Sequence, residues 1–504
     1  MIFRGPSFHT GFGRIVDIEV RPFTPPPGVR DLADLFGAIR RRPYAMLLLS
    51  GGDLDCAGYS LLGWDPFLVL KSKGDQVSWR LSGETRVCQG NPLTVLEDAL
   101  GGLELPGGTP VDPLAAGCLG FLAYDLKNHL EILPQTAADD LNLPDLVMAF
   151  PRRLVVHDRR GGQFREVRVI HEDARGRRPE GANEAVLWGA AAEPPGPYQV
   201  GTLTSNFSRE AYLAAIRRIR DYIRQGDVYQ VNLAQRFSFP FAGEAYTLFR
   251  RLFQLNPAPF YAFLNCGDFR VLSTSMERFL CRRGDYLETR PIKGTRPRGA
   301  TAGEDAALSR ELEDSPKDDA ELSMIVDLLR NDLGKVCEPK SVRVAEHKRL
   351  EAYQNVYHLV SIITGQVRPG VTAADILRAT FPGGSITGCP KIRAMEIIDE
   401  LEPCVRHIYC GAIGYLGLHR NLDLNVAIRT AVIYGGQAHF AVGGGVVYDS
   451  REEDEYEETL HKGRTLFRLI EQDLGQCGAT LQTVRSRHPG GGGPGSGRIV
   501  RSDQ

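Results

Sequence analysis

Residues 208–227 read SREAYLAAIRRIRDYIRQGD, and the next 64 positions break into the short runs VYQVNLAQRF, FYAFLNCG, FRVLSTS, RFLCRR and YLETRP. In the first stretch Tyr212, Ile216, Ile219 and Ile223 recur at a helical period, with Ser208 suited to cap the helix and Gly226 to stop it. The runs behind it are rich in β-branched and aromatic residues and are punctuated by Gly, Asn and Asp, which predicts strands. Downstream, helices are expected over 316–332, 391–402 and 451–474, and strands over 408–417, 424–434 and 438–448. Upstream, AMLLLSGG (45–52), FLVLKSK, QVSWRLSG, AAGCLGFLAYDL, LVMAF, RRLVVHD and FREVRVI predict a twisted sheet with few helices. Runs of strands interrupted by single helices, without regular βαβ alternation, predict an α+β fold of large packed sheets with helices outside.

Residues 21–29 (RPFTPPPGV) read as an extended connector, 31–42 as a short basic helix and 172–200 as a polar linker. The division expected is a β-rich subdomain with its linker (1–200), a catalytic domain (201–476) and a glycine-rich, disordered tail (477–504). At 504 residues the chain can bury a large core. A net charge of −2 leaves no electrostatic footprint for nucleic acid or a membrane surface. The first residues lack a long apolar run, and nothing approaches the roughly 18 apolar residues of a membrane span. Ten scattered cysteines without a CxxC pair fit a reducing cytoplasm.

Several stretches could carry chemistry. In PIKGTRPRG (291–299), Lys293 stands between Pro291 and Gly294, on a stiff backbone that turns sharply. Such a lysine can serve as a nucleophile, or can simply decorate a surface turn. In 314–335, Ser315 caps a helix on which Asp318 and Glu321 share a face. In 443–463, Ser450 and Glu453 form a capping box, Glu455 and Glu458 share a face, and Lys462 lies one turn beyond. Either acidic face can be merely solvated. Together the four carboxylates suit Mg2+, which takes one or two protein carboxylates plus substrate oxygens. FPGGSITGCPK (381–391) offers free N–H groups at a helix whose first position is Pro390, with Lys391 adding charge, or is an ordinary capped loop. Gly443, Gly444 and Gly445 allow close approach to a ligand or a β-bulge. Arg429, in the strand-like AIRT (427–430), can grip a carboxylate or pair across a sheet edge.

In this order, DVYQVNLAQRF, STSMERF, ETRPIKGTRPRG, AELSMIVDLLRNDLG, FPGGSITGCPK, YCGAIGY, AIRTAV and GGGVVYDS…EYEET resemble the chorismate-utilising enzymes. The family includes anthranilate, aminodeoxychorismate, isochorismate and salicylate synthases. The resemblance is dense over about 200–475 and looser before it. It implies a large α/β sandwich of two packed, mostly antiparallel sheets, with Mg2+ as metal and chorismate as substrate. Glu321 and Glu458 are then the metal ligands, with Asp318 and Glu455 as outer partners. Arg429, Lys462 and the backbone of Gly443–Gly445 bind carboxylates, and Thr387, His358 and Thr295 line the pocket. Glu277 is the general acid for the C4 hydroxyl.

Gln230 stands where the isochorismate and salicylate enzymes of the family carry a lysine base. Lys293 stands where anthranilate synthases have alanine. The resemblance therefore implies covalent attack by Lys293 at C2 and amination at C4, giving 4-amino-4-deoxychorismate on the route to 4-aminobenzoate and folate. The alternatives are an anthranilate-forming enzyme and a non-catalytic, tryptophan-binding subunit that scaffolds an amidotransferase. No Cys/His/Glu glutaminase set is present, which implies ammonia from a separate glutamine amidotransferase subunit or from solution. LLLSGG resembles a tryptophan-pocket segment with Ser50 as its polar contact, and reads equally as a strand end.

Overall fold

The computed structural model describes residues 11–81, 83–103, 105, 114, 116–178 and 194–476, and the backbone of 485–486. Two sheets share two long strands, Tyr59–Lys73 and Leu146–Asp158. These pair along their whole length, with a register shift between Pro66 and Leu68. Neither proline can donate to a ladder where Pro66 faces Pro151, and Asp65 takes φ 53 there, so the pair bends.

On one side of the bend, residues 61–63 pair with residues 46–48 of the Met46–Leu49 strand. That sheet continues through Phe260–Asn265, Arg270–Ser275, Thr430–Tyr434, Gln437–Val446 and Gln230–Gly243. On the other side, residues 146–149 pair with Gly117–Leu122. The second sheet continues through Ala412–Gly417, Leu422–Val426, Arg278–Arg283, Tyr286–Arg290 and Val356–Gln366, which also takes up Ile292–Pro297 and Arg343–Ala352. Among the described residues strand pairing is antiparallel, except for the two-residue bridge of Thr204–Ser205 with Arg485–Ser486 and the isolated bridge of Ala138 with Cys404.

The sheets meet over one core, in which Leu264 and Val271 of the first are buried with Leu119, Phe121, Ile413 and Tyr415 of the second. Phe121 and Phe269 meet edge to face at 6.1 Å. Helices cover the outer faces. Leu32–Ile39 and Ala245–Leu255 bury Phe36, Tyr246 and Phe249 against the first sheet. Arg209–Gln225 and Lys391–Leu401 bury Ile216, Ile219 and Ile397 against Val231 and Leu233. Ser208 accepts from Ala211 N, and Gly226 closes that helix at φ 84. The expected sandwich is present.

Among the described residues, strand pairing joins the chain up to residue 200 to the chain beyond it three times, through Met46–Leu49 with Phe260–Asn265, Gly117–Leu122 with Ala412–Gly417 and Tyr198–Val200 with Gln230–Gly243. The tail at 477–484 and 487–504, and residues 179–193 of the linker, lie outside the described residues.

Local readings need three corrections. The strand expected at 424–434 is broken at Ala427–Arg429, where Arg429 adopts φ 49. Pro390 is extended and precedes the helix that starts at Lys391. Ser450 and Glu453 form no capping box: Ser450 Oγ donates to Glu455 Oε1 at 2.6 Å, and Glu453 pairs with Arg209.

Candidate active site

Lys293 lies on the Ile292–Pro297 strand, whose register slips between Lys293 and Thr295. Gly294 makes the slip at φ 72, and a Cβ there would meet Leu312 Cδ1 at 2.8 Å and Asp318 Cγ at 3.0 Å. Only glycine lets this strand press onto the Pro316–Gly334 helix and redirect the lysine. A Cβ on Gly445 would sit 3.4 Å from Lys293 Nζ and 2.1 Å from Gln230 Nε2. The amine and the amide therefore lie over the bare backbone of Gly445. The Gly443–Gly445 run is a regular strand in register with Asn232–Ala234, not a bulge.

Glu277 is buried behind this amine. Burial pushes its carboxyl up to about 7, while Ser385 Oγ, donating at 2.5 Å, and the nearby charges of Lys293 and Lys462 pull the other way. Its backbone is fixed by Ser275 Oγ, which accepts from Glu277 N at 3.2 Å and donates to Val426 O at 2.7 Å.

The Glu452–Gln476 helix brings three more groups. Lys462 Nζ donates to Gly443 O at 2.9 Å and sits 2.6 Å from Glu458 Oε1. The charge of Lys462 holds the Glu458 carboxyl below its usual range, and Lys293 and Lys317 assist. Glu455 is buried, and burial with the neighbouring Glu458 charge pushes it up to about 7. Glu455 Oε2 has no hydrogen-bond partner, and a Cβ on Gly444 would lie 3.2 Å from it and 3.5 Å from Glu458 Oε1.

The opposite acidic helix differs. Asp318 pairs with Arg296 at 3.2 Å, and Glu321 lies 3.9 Å from Lys317. No group of three or more His, Cys, Asp or Glu among the described residues has metal-binding geometry. A buried, unpartnered carboxylate oxygen beside a second carboxylate does fit Mg2+, whose remaining positions go to water and substrate.

His358 completes the wall. Its Nδ1 meets Thr295 Oγ1 at 2.9 Å, and burial with the Arg429 charge pushes its pKa down to about 3, so the ring is neutral. Its Nε2 has no partner. Tyr353 lies edge-on to the ring at 5.1 Å. Arg429 lines a cavity with Tyr261, Thr274 and Lys462, and its guanidinium forms no ion pair among the described residues. Burial lowers its pKa. Such a cation is an open site for a carboxylate.

Two expected residues are otherwise engaged. Thr387 Oγ1 donates to Gly383 O at 3.1 Å, and its backbone O accepts from Asn232 N. Lys391 is tied to Asp332 at 2.5 Å and to Thr380 O at 2.9 Å, so it locks two helices together and is not free for an anion. Ser50 lies apart, in a cavity with Leu48, Tyr59, Leu61, Pro259, Phe260 and Tyr415, and its Oγ donates to Pro259 O at 2.7 Å.

Sequence reading missed Ser385, Lys317 and the buried Arg406–Glu402 pair. Arg406 donates to Ile386 O and Asn232 O, and Glu402 accepts from Ala234 N, which clamps the Ser385 loop to the Gln230 strand. Ser385 stood in the quoted FPGGSITGCPK loop, but no spacing connects it to Glu277.

A half-buried amine near a raised carboxyl, an unpaired arginine and a carboxylate pair define an enzyme site for a small polyanion. The chain belongs to the chorismate binding enzymes, a family that matches residues 52–468. It is 41% identical over 443 residues to aminodeoxychorismate synthase component 1 of Klebsiella aerogenes, covering 86% of this chain and 96% of that protein. It is 38% identical over 450 residues to anthranilate synthase component 1 of Cereibacter sphaeroides, covering 84% and 88%. The solved anthranilate synthase component I of Streptococcus pneumoniae TIGR4 superposes with a TM-score of 0.69 at 29% identity, covering 82% and 93%. No helix among the described residues is long and apolar enough to cross a membrane.

Proposed function

We propose that this chain makes 4-amino-4-deoxychorismate from chorismate and ammonia, on the route to 4-aminobenzoate and folate. The observation that carries the proposal is the placement of Lys293 Nζ over Gly445, beside Gln230, with its charge acting on both Glu277 and Glu458. Arg429 and Lys462 bind the substrate carboxylates, with the Gly443–Gly445 backbone beneath the ring and His358 and Thr295 along the wall. The Lys293 amine attacks C2, the two conjugated ring double bonds both shift, and the C4–O bond breaks as Glu277 gives its proton to the departing hydroxyl. Ammonia then attacks C4, the two double bonds shift back, the C2–N bond breaks to return the lysine amine, and the new C4 ammonium gives a proton back to Glu277. Chorismate and ammonia thus become the aminated diene and water. Neutral His358 can hydrogen-bond without adding charge to this pocket.

Glu458 and Glu321 would hold Mg2+, with Asp318 and Glu455 as outer partners, and the ion would neutralise a ring carboxylate. Ammonia comes from a separate glutamine amidotransferase subunit. The Ser50 cavity, lined by aromatic rings, takes tryptophan. Mass spectrometry of the enzyme with chorismate but no ammonia should show an adduct on Lys293. Lys293→Ala should lose the 4-amino product or divert it to the C2 amine, read as anthranilate fluorescence. A variant that keeps full 4-amino turnover with ammonium would exclude the covalent role.

A further inference from the structure

Glu277 sits on a two-residue break. The strand Arg270–Ser275 belongs to the first sheet and Arg278–Arg283 to the second, and Met276 and Glu277 between them lie outside both ladders. Met276 and Arg278, on either side of the acid, are the two ends of one chain of hydrogen-bonded side chains. Arg278 Nη1 donates to Glu288 Oε1 at 2.8 Å, and Arg290 Nε donates to the same oxygen at 2.5 Å. Arg290 Nη1 donates to Asp55 Oδ1 at 2.6 Å, and Arg349 Nη2 donates to that oxygen at 2.8 Å. Arg349 Nε donates to Glu351 Oε1 at 3.1 Å. The Tyr353 hydroxyl shares its proton between Glu351 Oε2 at 3.2 Å and Met276 O at 3.4 Å. The chain therefore leaves at residue 278 and returns at residue 276. Asp55 alone among these residues precedes residue 200, and Cys56 O beside it accepts from Arg278 Nη2 at 3.5 Å. Arg278, Glu288, Arg290, Glu351 and Tyr353 are buried, whereas the Asp55 side chain is 45% exposed. Burial raises the Asp55 carboxyl, but the bonds from Arg290 and Arg349 outweigh it and hold the group well below the usual carboxylate range.

We infer that Asp55 is a positioning residue for Glu277: from the amino-terminal loop it closes the circuit that fixes where the acid stands. Ser275 Oγ and Val426 N hold the two peptide groups of Glu277. The circuit holds the frame those groups rest on, because it ties the two strands that meet at the break to each other and to Arg290, three residues before Lys293. Proton transfer loses rate steeply when the donor is misplaced by about an ångström. A network of buried charges can also serve the fold without touching catalysis. A double-substitution cycle separates the two roles. The inference rests on the reading of Glu277 as general acid given above, and adds the residue that places it.

The test measures chorismate turnover by the full chain with Mg2+ at a fixed concentration of free ammonia, together with thermal unfolding of each variant. Asp55→Asn should lower kcat about tenfold and leave KM for chorismate within about twofold, since Asp55 acts through the acid and touches no substrate. Glu277→Gln should lower kcat about 100-fold or more. Asp55→Asn added to Glu277→Gln should cost at most about twofold further, because a misplaced acid and an absent one lose the same proton. Tyr353→Phe keeps every charge and opens the circuit at Met276, so it should lower kcat as Asp55→Asn does, and it decides the matter alone if Asp55→Asn does not fold. Glu346→Gln removes an exposed side branch of Arg349 and should leave kcat unchanged. An Asp55→Asn enzyme with wild-type kcat and only a lower unfolding temperature would overturn the inference. So would a further loss of about tenfold on top of Glu277→Gln, the additive result of a role independent of the acid. Full turnover in Glu277→Gln would sink the acid reading itself, whereas turnover that needs Glu277 but not Asp55 sinks the circuit alone.

Discussion

Two helices each carry a pair of acids three residues apart, yet they meet different surroundings. On Pro316–Gly334, Asp318 faces Arg296 and Glu321 faces Lys317. On Glu452–Gln476, Glu455 is buried with one oxygen unpartnered, and Glu458 stands beside it within reach of the Lys462, Lys293 and Lys317 charges. In the first pair Asp318 is matched by its own protein, while Glu321 meets only the exposed Lys317 at 3.9 Å and stays available to a cation. In the second pair Glu458 is matched by Lys462, and it is the buried oxygen of Glu455 that lacks a partner. Equal spacing on a helix therefore does not mean equal chemistry. What differs is which strand lies opposite: for the second pair it is Gly443–Gly445, which presents no side chains.

The contrast can be broken by substitution. Glu458→Gln should cost several kcal/mol of transition-state stabilisation, on the order of 10³ in turnover at saturating ammonium. Glu455→Gln should cost about 10–100-fold and raise the Mg2+ concentration needed for half-maximal rate, as expected of a carboxylate that supports a metal ligand. Asp318→Asn should change turnover by less than about threefold, since a partly exposed ion pair contributes about 1 kcal/mol or less to stability. Steady-state assays over a Mg2+ series read all three, and an Asp318 effect as large as that of Glu455 would erase the distinction.

A parallel comparison concerns the two buried carboxyls that each accept from a serine, Glu277 from Ser385 and Glu455 from Ser450. Glu277 works as an acid only while protonated, so turnover at a fixed concentration of free ammonia should fall as pH rises through about 7. Its raised pKa favours folding most fully below the ordinary glutamate range, and that contribution is lost as pH rises toward 7. Ser385 bonds the ionised form, so Ser385→Ala should move the fall in rate to higher pH while lowering the plateau about fivefold. An unchanged pH profile would leave Ser385 with a structural part only. Smallest of all, His358 should add no limb near pH 6.5, because it is already neutral across the assay range.

Much of this was readable in the chain. Ser208 and Gly226 bound their helix, Ser315 caps the next by accepting from Asp318 N, and the paired acids sit on the helices expected. Lys293, Gln230, Glu277 and Glu458 came from motif order, which encodes a shared fold. Failures fell where long-range contacts decide. The break at Ala427–Arg429 looks like strand because Ile428 is β-branched and strand formers lie on both sides, Val426 before it and Thr430 after it, and only the left-handed turn at Arg429 reveals it. Lys391 reads as an anion ligand until Asp332, 59 positions away, is found against it. Helices at Pro92–Gly102, Ala245–Leu255 and Ala302–Glu313 escaped because their apolar positions are short or mixed with strand formers.

The bent pair Tyr59–Lys73 and Leu146–Asp158 carries none of the proposed catalytic side chains, yet belongs to both sheets. Its hinge at Pro66 and Pro151 sets how far apart the two layers open, and therefore the gap between the strand bearing Lys293 and the one bearing Gly445. The amino-terminal third is thus the spine of the book, and its binding determines whether the facing pages can hold a ring between them.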